Sequence, residues 1–204
     1  MKLLTLVSEV ATQIEMAPEA VVVSAVRASI AALCNCDVYQ VDCDAISERA
    51  GQQQYELSVP DGVIILKVLG VYRTGRKLLT IPRIEFEEAA QKAGQPEYFM
   101  RSGNIVRLAP VPREAARSSV QCRVAVAPSR TTTEIDDDFA NTYFDLIVRG
   151  AVVALLEMPM KSWTSPTQAS LYRSQLESEY GTARARAKGL LDGMRIVSGM
   201  SAPR

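Results

Sequence analysis

Apolar residues near the start of the chain recur at helical spacing in two neighbouring segments. In residues 2–16 they are separated by four, three and four positions, which is one stripe of an amphipathic helix. A second helix is expected from Pro18, because proline in the first turn lacks only an amide that would have no partner there. The apolar positions of the two segments are Leu3, Val7, Val10, Ile14, Val22, Val26, Ile30 and Leu33.

From about residue 37 the spacing changes to the alternation that is typical of β-strands. Turn residues separate the strands: Pro60-Asp61-Gly62 combines a preset dihedral with a glycine, and Thr74-Gly75-Arg76 predicts a tight reversal. Residues 84–93 predict a short helix that ends at Gly94. The predicted strands cover residues 39–43, 55–59, 63–72, 104–108 and 119–127.

Two further helices are predicted after residue 134. The first begins near Asp136 and is apolar on nearly every side, which is typical of a helix that is buried or that contacts several partners. Asp145 and Arg149 lie one turn apart on its polar edge and can form an ion pair. The second begins at Ser165-Pro166-Thr167-Gln168, where the serine can cap and the glutamine can complete a capping box.

These elements predict an α+β fold in which an antiparallel helical bundle, formed by the N- and C-terminal helices, carries an inserted β-rich domain. Each outer helix has an apolar stripe to bury, and packing all of them together is the most economical way to do so. The expected boundaries are 1–36 and 134–192 for the discontinuous bundle and 37–133 for the inserted domain. Residues 193–204 contain two further glycines and a proline, and we expect an extended C-terminal tail there.

Composition and charge restrict the class of protein. The 204 residues suffice to bury a core, and 48% apolar with 23% charged residues is the balance of a folded protein. The 23 basic and 23 acidic residues cancel, so the chain as a whole has no field that attracts nucleic acid. The apolar run at the N-terminus stops at Ser8, too early for an export signal, and the richest later run is interrupted by Arg149. We therefore expect a soluble protein, made in a cytoplasm, that does not contact a membrane.

Residues that usually carry catalysis or metal binding are sparse. The chain has no histidine, which excludes a histidine-based triad and leaves Cys34, Cys36 and Cys43 without the spacing and partners of a typical zinc site. Residues 70–77 lack the lysine and hydroxyl positions of a phosphate-binding loop. We predict no catalytic residue, cofactor or metal, and we interpret the cysteines as buried thiols. Asp136-Asp137-Asp138 is interpreted as a helix cap, with a metal cluster as the alternative.

Two features could carry binding. Trp163 lies between two apolar helices, where packing, with its indole N–H bonded to a nearby acceptor, is favoured over stacking on a ligand. The basic residues near the C-terminus are either the solvated face of a helix end or a contact for DNA or an acidic partner. These residues are Arg184, Arg186, Lys188 and Arg195.

A collinear series of short motifs runs along nearly the whole chain. The β-region contributes residues 54–62, 68–76, 96–99, 105–112 and 124–128. The C-terminal part is the most specific; it runs from Phe139 through residues 150–159 and 161–166 to Ala169, Tyr172 and Leu176. This series resembles the head-to-tail adaptor, or connector, proteins of short-tailed phages, which are also called tail tubular or portal-adaptor proteins.

The resemblance implies a structural virion protein of the neck or tail, and not an enzyme. It implies a subunit that forms a dodecameric ring beneath the portal protein, surrounds the path of double-stranded DNA, and receives the tail nozzle or tail tube protein. A head-completion protein, or another tail ring of the virion, is the alternative. A DNA-binding protein is a further alternative with less support, because the chain has no recognition helix and no global basic charge.

Candidate contact residues follow from this interpretation. The apolar helix over residues 136–158 is expected to need partners in neighbouring subunits, because one small bundle would not cover it. The candidates for subunit packing are Phe139, Tyr143, Leu155, Trp163 and Tyr172. The C-terminal tail is expected to become ordered on the portal. Its candidate docking residues are Ile196, Val197, Met200 and Arg204.

Overall fold

The computed structural model describes residues 1–193, which form six helices and ten strands. The helices are α1 (Leu3–Gln13), α2 (Glu19–Cys34), α3 (Arg83–Ala89), α4 (Asp137–Thr142), α5 (Phe144–Leu156) and α6 (Pro166–Gly193). The first strands are β1 (Gln40–Asp42), β2 (Ile46–Glu48), β3 (Gln54–Glu56), β4 (Val63–Arg73) and β5 (Arg76–Lys77). The later strands are β6 (Ala93–Gly94), β7 (Tyr98–Ser102), β8 (Ile105–Ala109), β9 (Val111–Pro112) and β10 (Ala116–Pro128).

The described chain divides into two compact units. The first, here called the helical unit, comprises Met1–Tyr39, Gly62–Ile64 and Ala127–Gly193. The second, here called the sheet unit, comprises Gln40–Asp61 and Ile65–Val126. In the helical unit α2 packs against α1 and α5, and α5 also packs against α1 and α6.

Helix α5 is the centre of the helical unit. Nine of its thirteen residues are buried, because α1, α2 and α6 all contact it. The close approach of α2 occurs at Gly150, where the Ser29 hydroxyl donates a 2.8 Å hydrogen bond to the carbonyl of Ile147. The expectation that this helix needs neighbouring subunits to cover its apolar surface is therefore wrong: the chain's own helices cover it.

The predicted helix over residues 136–158 is divided in two. The Asp136 carboxylate accepts a 2.8 Å hydrogen bond from the Phe139 amide, so the capping interpretation is confirmed for this residue. Helix α4 then ends at Thr142, and the backbone of the next residue, Tyr143, leaves the helical region with φ −115° and ψ 17°. The ring of Phe139 stacks on Tyr39 at 4.6 Å between centroids and contacts Tyr143 at 5.5 Å. This aromatic packing lies beside the break between the two helices.

Antiparallel pairing dominates the strands. The largest sheet has the order β1-β10-β4-β5, with β2 also paired to β10, and a second sheet has the order β3-β8-β7. The short β6 and β9 form a parallel pair. The predicted reversal at residues 74–76 is confirmed: Arg73 pairs with Arg76, and both Thr74 (φ 45°) and Gly75 (φ 83°) have positive φ, as a two-residue hairpin turn requires.

One buried ion pair lies between two strands of the sheet unit. The Glu48 carboxylate on β2 is buried and accepts hydrogen bonds of 2.8 and 3.0 Å from the Arg73 guanidinium on β4. Both carboxylate oxygens accept a hydrogen bond from the guanidinium, and this bidentate contact offsets the cost of removing the charge from water.

The predicted fold class, an antiparallel helical bundle with an inserted β-rich domain, is wrong. The chain is a mixed helix-and-sheet protein with a curled antiparallel sheet. The two longest strands, β4 and β10, each contribute residues to both units, so the elements are not organised as a helical bundle with an inserted domain. The sequence pattern misled the prediction because periodicity identifies single elements and does not show where a long strand is shared.

No helix within residues 1–193 is long and apolar enough to cross a membrane.

Candidate functional site

The five residues predicted to pack subunits together all lie in the helical unit, but they differ in exposure. Phe139 and Leu155 are buried inside the single chain, Leu155 completely. Both side chains are packed in the core of the single chain, so they have little surface left for contact with another subunit. Tyr143, Trp163 and Tyr172 are half-buried and retain accessible surface. A role for these three in contacts between subunits stays a prediction.

The loop around Trp163 differs from the expected packing. The indole N–H is buried but has no hydrogen-bond partner, so the acceptor expected from the sequence is absent among the described residues. The loop is instead held by Thr164, whose hydroxyl donates to the Met158 carbonyl and accepts a 3.0 Å hydrogen bond from the Lys161 amide. Met160, which lies at the start of this loop, has a positive φ of 57° and is 99% exposed. The loop therefore presents an apolar side chain to its surroundings.

The predicted basic cluster falls on the second half of α6, and its members do not all lie together. Arg184, Arg186 and Lys188 are exposed, whereas Arg195 lies outside the described residues. At 3.6 residues per turn, Arg184 and Lys188 are stacked one turn apart on one flank of α6. The Arg184 guanidinium also contacts the thiol of Cys36 at 3.6 Å. Arg186, two positions from both Arg184 and Lys188, lies on another side of the helix, and its charge offsets part of the rise that burial causes in the pKa of Tyr143. The four candidate portal-docking residues also lie outside the described residues.

A groove that the sequence did not suggest lies in the helical unit, between α1, α5 and α6. Its cavity measures about 310 Å³. The residues that line it, here called the α1–α5–α6 groove, are Glu9, Gln13, Phe144, Asp145, Val148, Arg149, Val152, Tyr172 and Gln175. Val148 and Val152 form a buried apolar floor, and the rings of Phe144 and Tyr172 are half-buried. The groove therefore combines apolar and aromatic surface with charged groups.

The charges of the groove are unbalanced. Arg149 pairs with Glu179 of α6 and not with Asp145, which the spacing in the sequence had suggested. Glu9 and Asp145 are exposed, and neither takes part in an ion pair among the described residues. With the cation already neutralised, the groove carries two uncompensated carboxylates. Sequence reasoning missed it because Glu9, Asp145 and Tyr172 come from three separate helices.

The cysteines are buried thiols, as predicted. Burial, with a smaller contribution from the neighbouring Cys36, raises the pKa of Cys34 from the usual 9.0 to about 12. Burial likewise raises the pKa of Cys122 to about 12 and that of Cys43 to about 11. Among residues 1–193, no group of three or more cysteine or carboxylate side chains could hold a metal ion. At neutral pH these thiols are protonated and therefore weak nucleophiles.

Comparison with known protein families gives a match over almost the whole chain. The model of the SU10 adaptor protein family matches residues 1–196, and the chain belongs to that family. The family is one of structural phage adaptors, which places the chain among virion components that interact with other virion proteins. The resemblance to phage adaptors is confirmed at this level. Comparison with curated proteins finds no match.

Proposed function

We propose that this chain is a ring-forming, non-enzymatic adaptor subunit that joins the portal protein of a phage head to the tail nozzle or tail tube protein. The observation that carries the proposal is the family match, which extends through both units and through all helices and strands of the described chain. An adaptor acts by binding other virion proteins, so its function resides in surfaces and not in a reactive centre. The ring size that the resemblance implies is a dodecamer.

The chemistry of the chain is compatible with a passive channel component. Equal numbers of acidic and basic residues give a subunit with no net attraction for double-stranded DNA, which suits a ring through which DNA slides during packaging and ejection. Burial raises the pKa values of the Cys34 and Cys122 thiols, which are therefore weak nucleophiles at neutral pH.

The proposed contact with portal involves the C-terminal residues Ile196, Val197, Met200 and Arg204. A short segment that becomes ordered on a partner can cover a large surface for its length. Deletion of residues 196–204 should leave a folded subunit, with the fluorescence of Trp163 unchanged, that binds portal poorly. Normal binding of the truncated chain would remove the tail from the proposal without affecting the family assignment.

The decisive experiment is electron microscopy of the chain mixed with its portal, together with imaging of the particle vertex. We expect a ring of this chain between portal and tail. A position inside the head, or addition only after the tail has joined, would replace the adaptor assignment with a head-completion or tail-completion protein. Turnover of any substrate by the purified chain would contradict the non-enzymatic part of the proposal.

A further inference from the structure

We infer that the α1–α5–α6 groove is the socket for the basic flank of α6 in a second copy of this chain, which inserts Arg184 and Lys188. The inference rests on the proposed function, because it assigns the surfaces through which ring subunits would contact one another. The proposed occupant is a neighbouring copy of the chain. Two observations lead to it: the opposite charges of the groove and the flank, and the positions that α6 gives to residues of both surfaces.

The chemistry of the groove suits a lysine or arginine side chain. Such a side chain places its aliphatic stem on apolar surface and its charged end near carboxylates. Val148 and Val152 close the bottom of the groove but are only 5% and 3% exposed, so the half-buried rings of Phe144 and Tyr172 offer the accessible apolar surface, and Glu9 and Asp145 supply the negative charge. The rings of Phe144 and Tyr172 add surfaces that attract cations. A neutral apolar peptide would leave the two carboxylates unused.

The basic flank supplies the complementary charge. Arg184 and Lys188 are exposed and lie one turn apart, so both cations lie on one side of the helix. The Arg184 guanidinium contacts the Cys36 thiol of its own chain at 3.6 Å, and insertion into a neighbouring groove exchanges this weak contact for one with a carboxylate. Two carboxylates in the groove match two cations on the flank. Because both surfaces belong to one sequence, every copy carries one of each.

A single chain cannot make this contact with itself. Tyr172 and Gln175, which line the groove, and Arg184 and Lys188 belong to the same continuous helix, Pro166–Gly193. At 100° and 1.5 Å per residue, the two pairs point in directions about 170° apart and are separated by about 19 Å along the axis. The basic flank therefore faces away from its own groove. Complementary surfaces on opposite sides of a subunit generate head-to-tail contacts, which close into rings or extend as filaments.

A charge exchange within the chain tests the inference. The groove variant is Glu9→Lys with Asp145→Lys, and the flank variant is Arg184→Glu with Lys188→Glu. Each should raise the concentration needed for half assembly, measured by sedimentation, by about tenfold or more, because like charges then meet. The variant with all four substitutions should assemble within about threefold of the wild type, because the opposite charges are restored. Glu15→Lys with Glu56→Lys, two exposed carboxylates outside the groove, is the matched control and should assemble normally.

A second measurement uses the wild-type chain and does not depend on the folding of any variant. Carbodiimide treatment of a mixture of isotopically light and heavy chains, assembled on portal, should link Lys188 to Glu9 or Asp145 between copies. Links from Lys188 only to other carboxylates would overturn the inference.

The possible failures are distinguishable. If wild-type rings form on portal but both reversals assemble normally, the socket is wrong and the adaptor function stands. If the flank variant assembles normally but loses retention on DNA, Arg184 and Lys188 contact DNA, and the inference is again overturned. If the wild-type chain forms no ring at the vertex, the proposed function fails and the socket with it.

Discussion

Gly150 offers a direct test of the packing at the centre of the helical unit. A methyl group added there would lie 2.3 Å from the Ser29 hydroxyl oxygen and 2.9 Å from the Tyr180 hydroxyl oxygen, both too close for unbonded contact. Ser29 cannot easily move away, because it is buried and its hydroxyl is held by the Ile147 carbonyl at 2.8 Å. The Gly150→Ala variant should therefore push α5 away from α2, whereas the Tyr180 hydroxyl of α6, at the end of a flexible side chain, can move aside.

The expected effect has an unusual sign for a helix. Replacing a glycine by alanine inside a helix normally raises the free energy of unfolding by about 0.5–1 kcal/mol. Overpacking a tight core site typically costs about 1–3 kcal/mol, so we expect Gly150→Ala to lower the free energy of unfolding. Gly181→Ala is the matched control. Gly181 lies on the exposed side of α6 with nothing within 4 Å of the added methyl group, so that variant should gain stability.

Urea denaturation followed by the fluorescence of Trp163, the single tryptophan, measures both variants. Combining Gly150→Ala with Ser29→Ala removes the shortest contact, so the double variant should lose less stability than the sum of the single changes. If Gly150→Ala proved as stable as the wild type, or changed stability in the same direction as Gly181→Ala, the close contact of α5 with α2 and α6 would be refuted.

Three further predictions concern other parts of the chain. Arg73→Met leaves the buried Glu48 carboxylate without its partner and should lower the free energy of unfolding by about 3–5 kcal/mol in urea denaturation; adding Glu48→Gln should recover part of the loss. Asp136→Ala removes the cap of α4 and should cost about 1 kcal/mol, and an unchanged thermal midpoint would argue against the cap. Burial raises the pKa of the Cys34 and Cys122 thiols from 9.0 to about 12 in the folded state, so above pH 9 the folded state retains protons that the unfolded state loses. Stability should therefore fall as pH rises from 9 towards 12, less steeply in Cys122→Ala, and a flat profile measured by urea denaturation would contradict the burial of these thiols.

Much of the local structure could be predicted because its causes are local. Helices α1, α2 and α6 begin and end near the positions that apolar spacing, Pro18 and Ser165-Pro166 indicate. The predicted end of the short helix at Gly94 is wrong, because α3 ends at Ala89 and Gly94 lies in β6. The reversal at Thr74-Gly75 follows from the backbone freedom of the residues in the turn. Strands β2, β5, β6, β7 and β9 were missed. Four of them have only two or three residues, which carry too little alternation to be recognised.

The predicted long helix after residue 134 shows the limit of periodicity. Its apolar pattern continues through Tyr143, yet the helix breaks there, beside the packing of Phe139 against Tyr39. The two rings are a hundred positions apart in the sequence, and nothing in the local pattern indicates that they meet. The fold class was wrong for a related reason, because the sharing of β4 and β10 by both units is not visible in any short window.

The sequence by itself determined the positions of the main helices and strands, the turn chemistry and the collinear motifs that mark a phage adaptor. These depend on residues that are neighbours in the chain. Only the tertiary structure decided that Arg149 pairs with Glu179, that α5 is covered within one subunit, and that three helices enclose a groove with two uncompensated carboxylates. Many partners satisfy the same local pattern equally well, and the choice among them is made by the packing of residues that are distant in the sequence.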